Sequence, residues 1–145
     1  MNALEKAIVI ATEAHAGQVD KGGSPYILHP LRIMLRMRTE DTMIAAVLHD
    51  VLEDTDVTVE DLKKAGISEA VIEGVVALTK QAGETYTDFI RRAKCNSIAK
   101  TVKLADLEDN CDMTRLSNPT EEDFQRVERY KRARSELLSN FSAST

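Results

Sequence analysis

The sequence runs to 145 residues, a length that suits one domain built around one hydrophobic core. With 43% hydrophobic and 30% charged residues it has the balance of a globular protein, and no apolar stretch approaches the roughly 20 residues needed to span a bilayer. The net charge of −5 argues against non-specific binding to nucleic acid or an anionic membrane surface, and a phosphorylated small molecule would need a local cation, either Lys or Arg or a metal.

Helical spacing dominates and alternating strand patterns are absent. Leu4, Ile8, Ala11 and His15 recur at intervals of four and three, which predicts a first helix over 2–16. Glu5 and Glu13 interrupt its apolar pattern, and no basic start precedes a clean apolar block. The segment is therefore not read as a signal peptide, and a cytoplasmic location is expected. Residues 17–30, GQVDKGGSPYILHP, break the pattern with repeated Gly and Pro and form a loop. Pro30 fits the first turn of a second helix over about 30–38, and Thr39 or Asp41 can cap a third over about 41–53. After the link TDVT, Thr58 with Asp61 makes a capping-box-like start for a helix near 59–65, which Gly66 closes. Ser68 caps the next, near 69–80; QAGE is a turn; helices near 86–94 and 96–112 follow. LSNPTEED supplies a stop and a new cap at Thr120 before a last helix to about 139, whose Phe124, Val127, Tyr130 and Arg134 share a face expected to pack as core. The expectation is an all-α single domain over 1–145, a helical bundle with short loops. Cys95 and Cys111 lack metal-ligand spacing and are read as reduced structural thiols.

The stretch VLHDVLEDT, 47–55, sets His49, Asp50, Glu53 and Asp54 in an apolar run expected to be a buried helix. His49 and Glu53 are four apart, as are Asp50 and Asp54, so the two pairs would adjoin on one side of a single helix. Ionised carboxylates there would be driven to take up protons unless a cation compensates them. Imidazole with carboxylate is a normal ligand set for a divalent ion. Asp106, in SIAKTVKLADLEDNCDM, falls at the edge of an apolar stripe and also needs a cation or strong donors; Lys103, one turn away, is one candidate. In PYILHP, Pro30 fixes the backbone after His29, so this imidazole is presented at a loop–helix junction. Each feature alone has a plain structural account. Together they point to a metal centre.

The blocks HAGQVDKGGSPYILHP, AAVLHDVLEDT and KLADLEDN, spanning 15–110, resemble in order and spacing the motifs of the HD-domain alarmone hydrolases. These are the hydrolase half of RelA/SpoT-type proteins and the stand-alone small alarmone hydrolases. The resemblance implies an all-helical HD domain holding one divalent ion, usually manganese, with His29, His49, Asp50 and Asp106 as ligands by motif position. It implies Glu53 and Asp54 as the catalytic acids, and removal of the 3′-pyrophosphate from guanosine alarmones, giving GDP or GTP and pyrophosphate. Lys21 is similar to a position that contacts the nucleotide, and Asn110 to one in the nucleotide pocket, where its amide could bond ribose or phosphate. Tyr26 and His15 fall in the matching blocks but read as packing residues, and Lys103 as a partner for helix acids. A mixed N/O set of four leaves positions open for water and a phosphate oxygen. Glu53 could then orient or deprotonate that water, and Asp54 could tune Glu53 or act on the leaving group.

Two departures from the family pattern stand out. The first loop usually carries Arg-Lys, the Arg stacking on the base, but here has Asp20-Lys21. After KLAD the family often has a basic residue and then an aromatic or His before Asn, where this chain has Leu107-Glu108-Asp109. An Asp offers guanine no planar cation and repels phosphate, so the site loses positive charge twice while the metal set stays intact. The departures admit an HD-type phosphatase acting on another nucleotide or a phosphorylated dinucleotide, or a non-catalytic nucleotide-binding module. The Glu53–Asp54 pair counts against the module, because a pure binder needs no acid pair beside a metal.

Overall fold

A computed structural model describes residues 1–139; positions 140–145 of the expected 1–145 domain lie outside the described residues. The chain folds into α1 (Ala3–Ala14), α2 (Leu28–Leu35), α3 (Glu40–Val47), α4 (Val51–Asp54), α5 (Val59–Lys64), α6 (Glu69–Ala77), α7 (Tyr86–Lys94), α8 (Ser97–Asn110) and α9 (Glu121–Leu138). Among the described residues the only extended pairing is one antiparallel bridge, Val19 with Pro25, inside the first loop. Among the described residues no helix is long and apolar enough to cross a membrane.

Local chemistry sets most of the boundaries. Thr39, Thr58, Ser68 and Thr120 each accept the N–H three residues on and so satisfy a donor that the first turn leaves free. Thr39 rather than Asp41 caps α3, and Asp61 closes the capping box at Thr58. Pro30 is the third residue of α2, where its missing N–H is not needed.

The third helix differs from expectation. Instead of one helix over 41–53, α3 ends at Val47, and α4 starts again at Val51. Leu48 and Asp50 adopt φ/ψ of −98/0 and −106/−4, away from helical values. The His49 N–H reaches Ala46 O at 3.3 Å and the Val51 N–H reaches Leu48 O at 3.1 Å, both tightened i→i+3 bonds. His49 Nδ1 competes for the same Ala46 carbonyl at 2.7 Å. The His-Asp pair therefore sits on a turn between two helices rather than along one face, and α4 carries Glu53 and Asp54 out to solvent. The expected burial of the whole stretch holds for Val47 to Val51 only in part and fails for those two acids.

At the centre of the core lies α3, which packs on α1, α2, α6 and α8 with Ala45, Ala46, Val47 and Leu48 fully enclosed. A smaller apolar cluster joins α7, α8 and α9 through Phe89, Ile90, Leu107, Ala133 and Leu137. On α9 the buried stripe is Val127, Ala133 and Leu137, with Tyr130 packed beside it; Phe124 is half exposed and Arg134 exposed. The stripe follows spacings of three, three and four, and so drifts away from the face expected from Phe124 and Arg134.

Gly74 on α6 faces Ile98 on α8. A Cβ there would lie 2.8 Å from Ile98 Cγ2 and 3.1 Å from Ile98 Cβ. Ala gains about 1 kcal/mol over Gly in helix propensity, but overpacking against a stiff β-branched neighbour costs about 1–3 kcal/mol. Gly74→Ala is expected to lower the thermal midpoint by a few degrees. A midpoint at or above wild type in a melting experiment would contradict this account.

Candidate metal centre

Three separate parts of the fold deliver imidazole and carboxylate groups to one place. His29 comes from the first turn of α2, His49 and Asp50 from the α3–α4 turn, and Asp106 from the middle of α8. His29 Nε2 lies 2.8 Å from Asp106 Oδ1; His49 Nε2 lies 3.4 Å from the same oxygen and 3.1 Å from Asp50 Oδ2. His29, His49 and Asp50 offer ligand atoms all within 4.8 Å of one another. All four positions expected as ligands are thus brought together.

The protonation pattern tests whether a cation fits. His49 Nδ1 faces a carbonyl oxygen, which only accepts, so Nδ1 carries the proton and Nε2 presents a lone pair. That Nε2 is buried without a hydrogen-bond partner and points at two carboxylates. A lone pair facing acceptors is repulsive, and a divalent ion between them would turn the repulsion into coordination. Asp50 and Asp106 report the same crowding. Burial and the Asp106 charge push the Asp50 carboxyl well above its usual range. Burial opposes ionisation of Asp106 too, but the Lys103 ammonium and the His29 hydrogen bond outweigh it and hold that carboxyl well below its usual range. The donor set fits a divalent ion.

Neighbouring residues hold this set in shape. Lys103 Nζ meets Asp106 Oδ2 at 2.8 Å, as its helical spacing suggested. Asn110, expected in the nucleotide pocket, lines the pocket beside His29 and also donates Nδ2 to Asp106 Oδ1 at 3.1 Å, because one helical turn on α8 brings the amide over that carboxylate. Tyr26 does more than pack, since its hydroxyl donates to Asp50 Oδ2. His15 is enclosed, bonded through Nδ1 to Gln18 Oε1 at 2.8 Å, and its ring rests against Tyr26.

Glu53 and Asp54 stand exposed at the mouth of the centre, with carboxylate oxygens within 4.8 Å of each other and of Asp50. Glu53 Oε1 accepts the Lys80 N–H at 3.1 Å, which ties α4 to the loop between α6 and α7. Arg92 clasps that loop from the other side, donating Nη2 to Thr79 O at 2.7 Å and pairing with Glu84 at 2.8 Å. The Arg92 hydrogen bond brings the Glu84 carboxyl down to about 2. A depressed carboxyl adds stability that is complete above its unfolded value, 4.5, and is lost as pH falls towards 2. Glu84→Gln is expected to be less stable than wild type near neutrality, with the gap closing between pH 4.5 and 2. Denaturant unfolding at a series of pH values checks this; a gap that stays constant on acidification would rule out the ion pair as its source.

Asp109 was not singled out from the sequence for a role of its own. It accepts from His29 Nδ1 at 2.6 Å, from Arg32 Nε and Nη2 at 2.9 Å each, and from Arg115 Nη2 at 3.4 Å. Its place at the end of the apolar face Ile98, Val102, Ala105 was the available signal; Arg32 and Arg115 gave none.

Beside His29 opens a pocket of about 260 Å³, lined among others by Lys21, Tyr26, Arg32, Asn110, Arg115 and Tyr130. The acids behind the expected double loss of positive charge are all engaged. Asp20 Oδ1 accepts the Gly22 and Ser24 N–H groups at 2.9 Å and closes its own loop. Glu108 pairs with Arg36 and Arg134, and Asp109 with Arg32 and Arg115. Arg32, distant in sequence, and Arg115, beyond the block that holds these acids, also line the pocket. The loop approaches the opposite wall so closely that a Cβ at Gly22 would lie 2.6 Å from Arg115 O, which requires glycine there.

Fold and site together define an all-α domain whose clustered imidazoles and carboxylates could hold a divalent ion. The chain belongs to the HD-domain family, whose profile matches residues 7–133. It is similar to the guanosine-3′,5′-bis(diphosphate) 3′-pyrophosphohydrolase of Vibrio cholerae, 44% identical over 87 residues that cover 55% of this chain and 12% of that protein. Its similarity to the protein of the same name from Aquifex aeolicus is 36% over 119 residues, covering 74% of this chain and 17% of the relative. The chain thus spans less than a fifth of the length of these curated relatives. A solved structure described as a metazoan ortholog of SpoT that hydrolyses ppGpp and plays a role in starvation responses matches with a TM-score of 0.76 at 24% identity. The match covers 99% of this chain and 89% of that one, and establishes a shared fold.

Proposed function

We propose that this chain is a manganese-dependent (p)ppGpp 3′-pyrophosphohydrolase, a single HD-type domain over 1–145 that acts in the cytoplasm. The observation that carries the reading is the buried His49 Nε2, without a partner and aimed at Asp50 and Asp106 beside His29. The similarity to two 3′-pyrophosphohydrolases supplies the substrate class.

His29, His49, Asp50 and Asp106 would hold the ion. When bound, it supplies a Lewis acid for a phosphoryl oxygen and lowers the pKa of water. The protein does the rest. Glu53 Oε1 is engaged by Lys80 N–H, which leaves Oε2 to take the proton of the attacking water. Asp54, next along α4 and more distant from the imidazoles in sequence, tunes Glu53 or serves the departing pyrophosphate. The pocket beside His29 would receive the nucleoside, with Lys21, Arg32 and Arg115 offering positive charge to phosphate.

The test is to incubate the purified protein and manganese with ppGpp and follow pyrophosphate release, running other nucleotides and phosphorylated dinucleotides alongside. Multiple turnover with preference for the guanosine alarmone is expected. Absence of turnover on every substrate would end the reading. Preference for a different nucleotide would favour the second reading, an HD-type phosphatase of other specificity, which is motivated by Asp20 being tied into its own loop where a base-stacking cation was expected.

A further inference from the structure

Asp109 lies outside the set of residues that meet the ion, yet its side chain is only 9% exposed, and two guanidinium groups and the His29 imidazole converge on it. The arrangement is asymmetric in an informative way. Arg32 binds with both nitrogens of its fork, Nε to Oδ1 and Nη2 to Oδ2, a geometry that by itself would satisfy a buried carboxylate. The shortest contact is nonetheless to His29 Nδ1, at 2.6 Å. With Nδ1 spoken for, only Nε2 faces the centre, where it lies 2.8 Å from Asp106 and where His49 Nε2 also arrives. The His29 and His49 rings stand 5.2 Å apart at 67°, so rotation of either about its Cβ–Cγ bond would take a nitrogen out of reach. Unanchored, the His29 ring has two orientations of similar energy.

We propose that Asp109 is a positioning residue for His29: it fixes which ring nitrogen is free, holds the ring plane, and makes that nitrogen a better donor. Arg32 from α2 and Arg115 from the segment after α8 anchor the carboxylate so that it cannot follow the ring. A carboxylate accepting from the far nitrogen of a metal-ligating imidazole acts in this way generally. The inference rests on the metal-centre reading above and adds a residue that the ligand set does not include, at the very position where the sequence departs from its family's pattern.

The test compares wild type with Asp109→Ala and Asp109→Asn, and reads ion binding rather than turnover. Competition with a chromophoric chelator should show manganese affinity falling about 10–100-fold in Asp109→Ala, with a smaller fall in Asp109→Asn, the range usual for such partners. The visible absorption of the cobalt-loaded protein should shift in both variants. In wild type loaded with zinc, nitrogen NMR of labelled histidine should find His29 protonated at Nδ1 and metal-bound at Nε2. Unchanged affinity and an unchanged cobalt spectrum in Asp109→Asn would overturn the proposal, even with a lowered metal-free melting point, since that pattern marks a salt bridge alone. The reverse assignment of the two His29 nitrogens would overturn it without any variant. Wild type that binds neither manganese nor cobalt would remove the metal-centre reading and this inference together, whereas binding that ignores Asp109 would remove this inference only.

Discussion

Asp106→Asn is expected to lose its ion and its turnover together. Asp106 is the hub of the centre: Oδ1 meets both imidazoles and the Asn110 amide, and Oδ2 meets Lys103. Asparagine keeps the shape but removes the charge and one of the two acceptor oxygens. The ion then loses an anionic ligand at the point where all three contributing segments meet. Losing Lewis-acid stabilisation worth several kcal/mol corresponds to a rate loss of about 10³-fold or more. Elemental analysis after dialysis and pyrophosphate release measure the two effects. Asp106→Ala should in addition destabilise the fold by about 3–5 kcal/mol, the usual result of leaving a buried charge unpaired. The charge in question is the Lys103 ammonium, whose side chain is 13% exposed and which the Asp106 carboxylate holds protonated against burial. Asp106→Asn with wild-type manganese content and wild-type rate would show that Asp106 serves Lys103 and nothing else.

Glu53→Gln is expected to separate chemistry from binding. Glu53 is exposed and bonded to the Lys80 N–H, and glutamine keeps an oxygen for that bond. Folding stability should therefore stay within about 0.5 kcal/mol of wild type. Glutamine cannot accept a proton from water, so kcat should fall by about 10²–10⁴-fold, the usual contribution of a general base, with manganese content and KM little changed. Steady-state kinetics on an ion-replete protein makes the comparison. A loss of bound manganese in Glu53→Gln would instead make Glu53 a ligand. Should Asp54→Asn show the larger fall in kcat, the two acids exchange roles.

The helices could be read from the chain because their signals are local. Thr58 with Asp61, Ser68 and Thr120 each marked a start within one residue of where α5, α6 and α9 begin. The break at Leu48–Asp50 was illegible for a complementary reason. The apolar pattern runs straight through it, and what stops the helix is the His49 imidazole on the Ala46 carbonyl, with Asp50 turned to Tyr26 and His49. Periodicity records which side of a helix is apolar, not where a buried polar side chain outcompetes a backbone donor. On α9 the expected Val127 and Tyr130 do pack inward, but Ala133 and Leu137 take the places expected for Phe124 and Arg134, a drift that only packing against α8 and α7 selects.

By itself the sequence determined the helical class and several of the caps, and it singled out residues whose chemistry suits a divalent ion, since residue chemistry and short spacings suffice for each. Only the tertiary structure decided that His29 and Asp106, 77 positions apart, touch, that Asp109 grips the other side of the same imidazole, and that Arg32 and Arg115 line the pocket beside it. Contacts of that span depend on how α2 and α8 pack against α3. Packing minimises exposed apolar area and unpaired charge over the whole chain at once, so no local window of residues contains the answer.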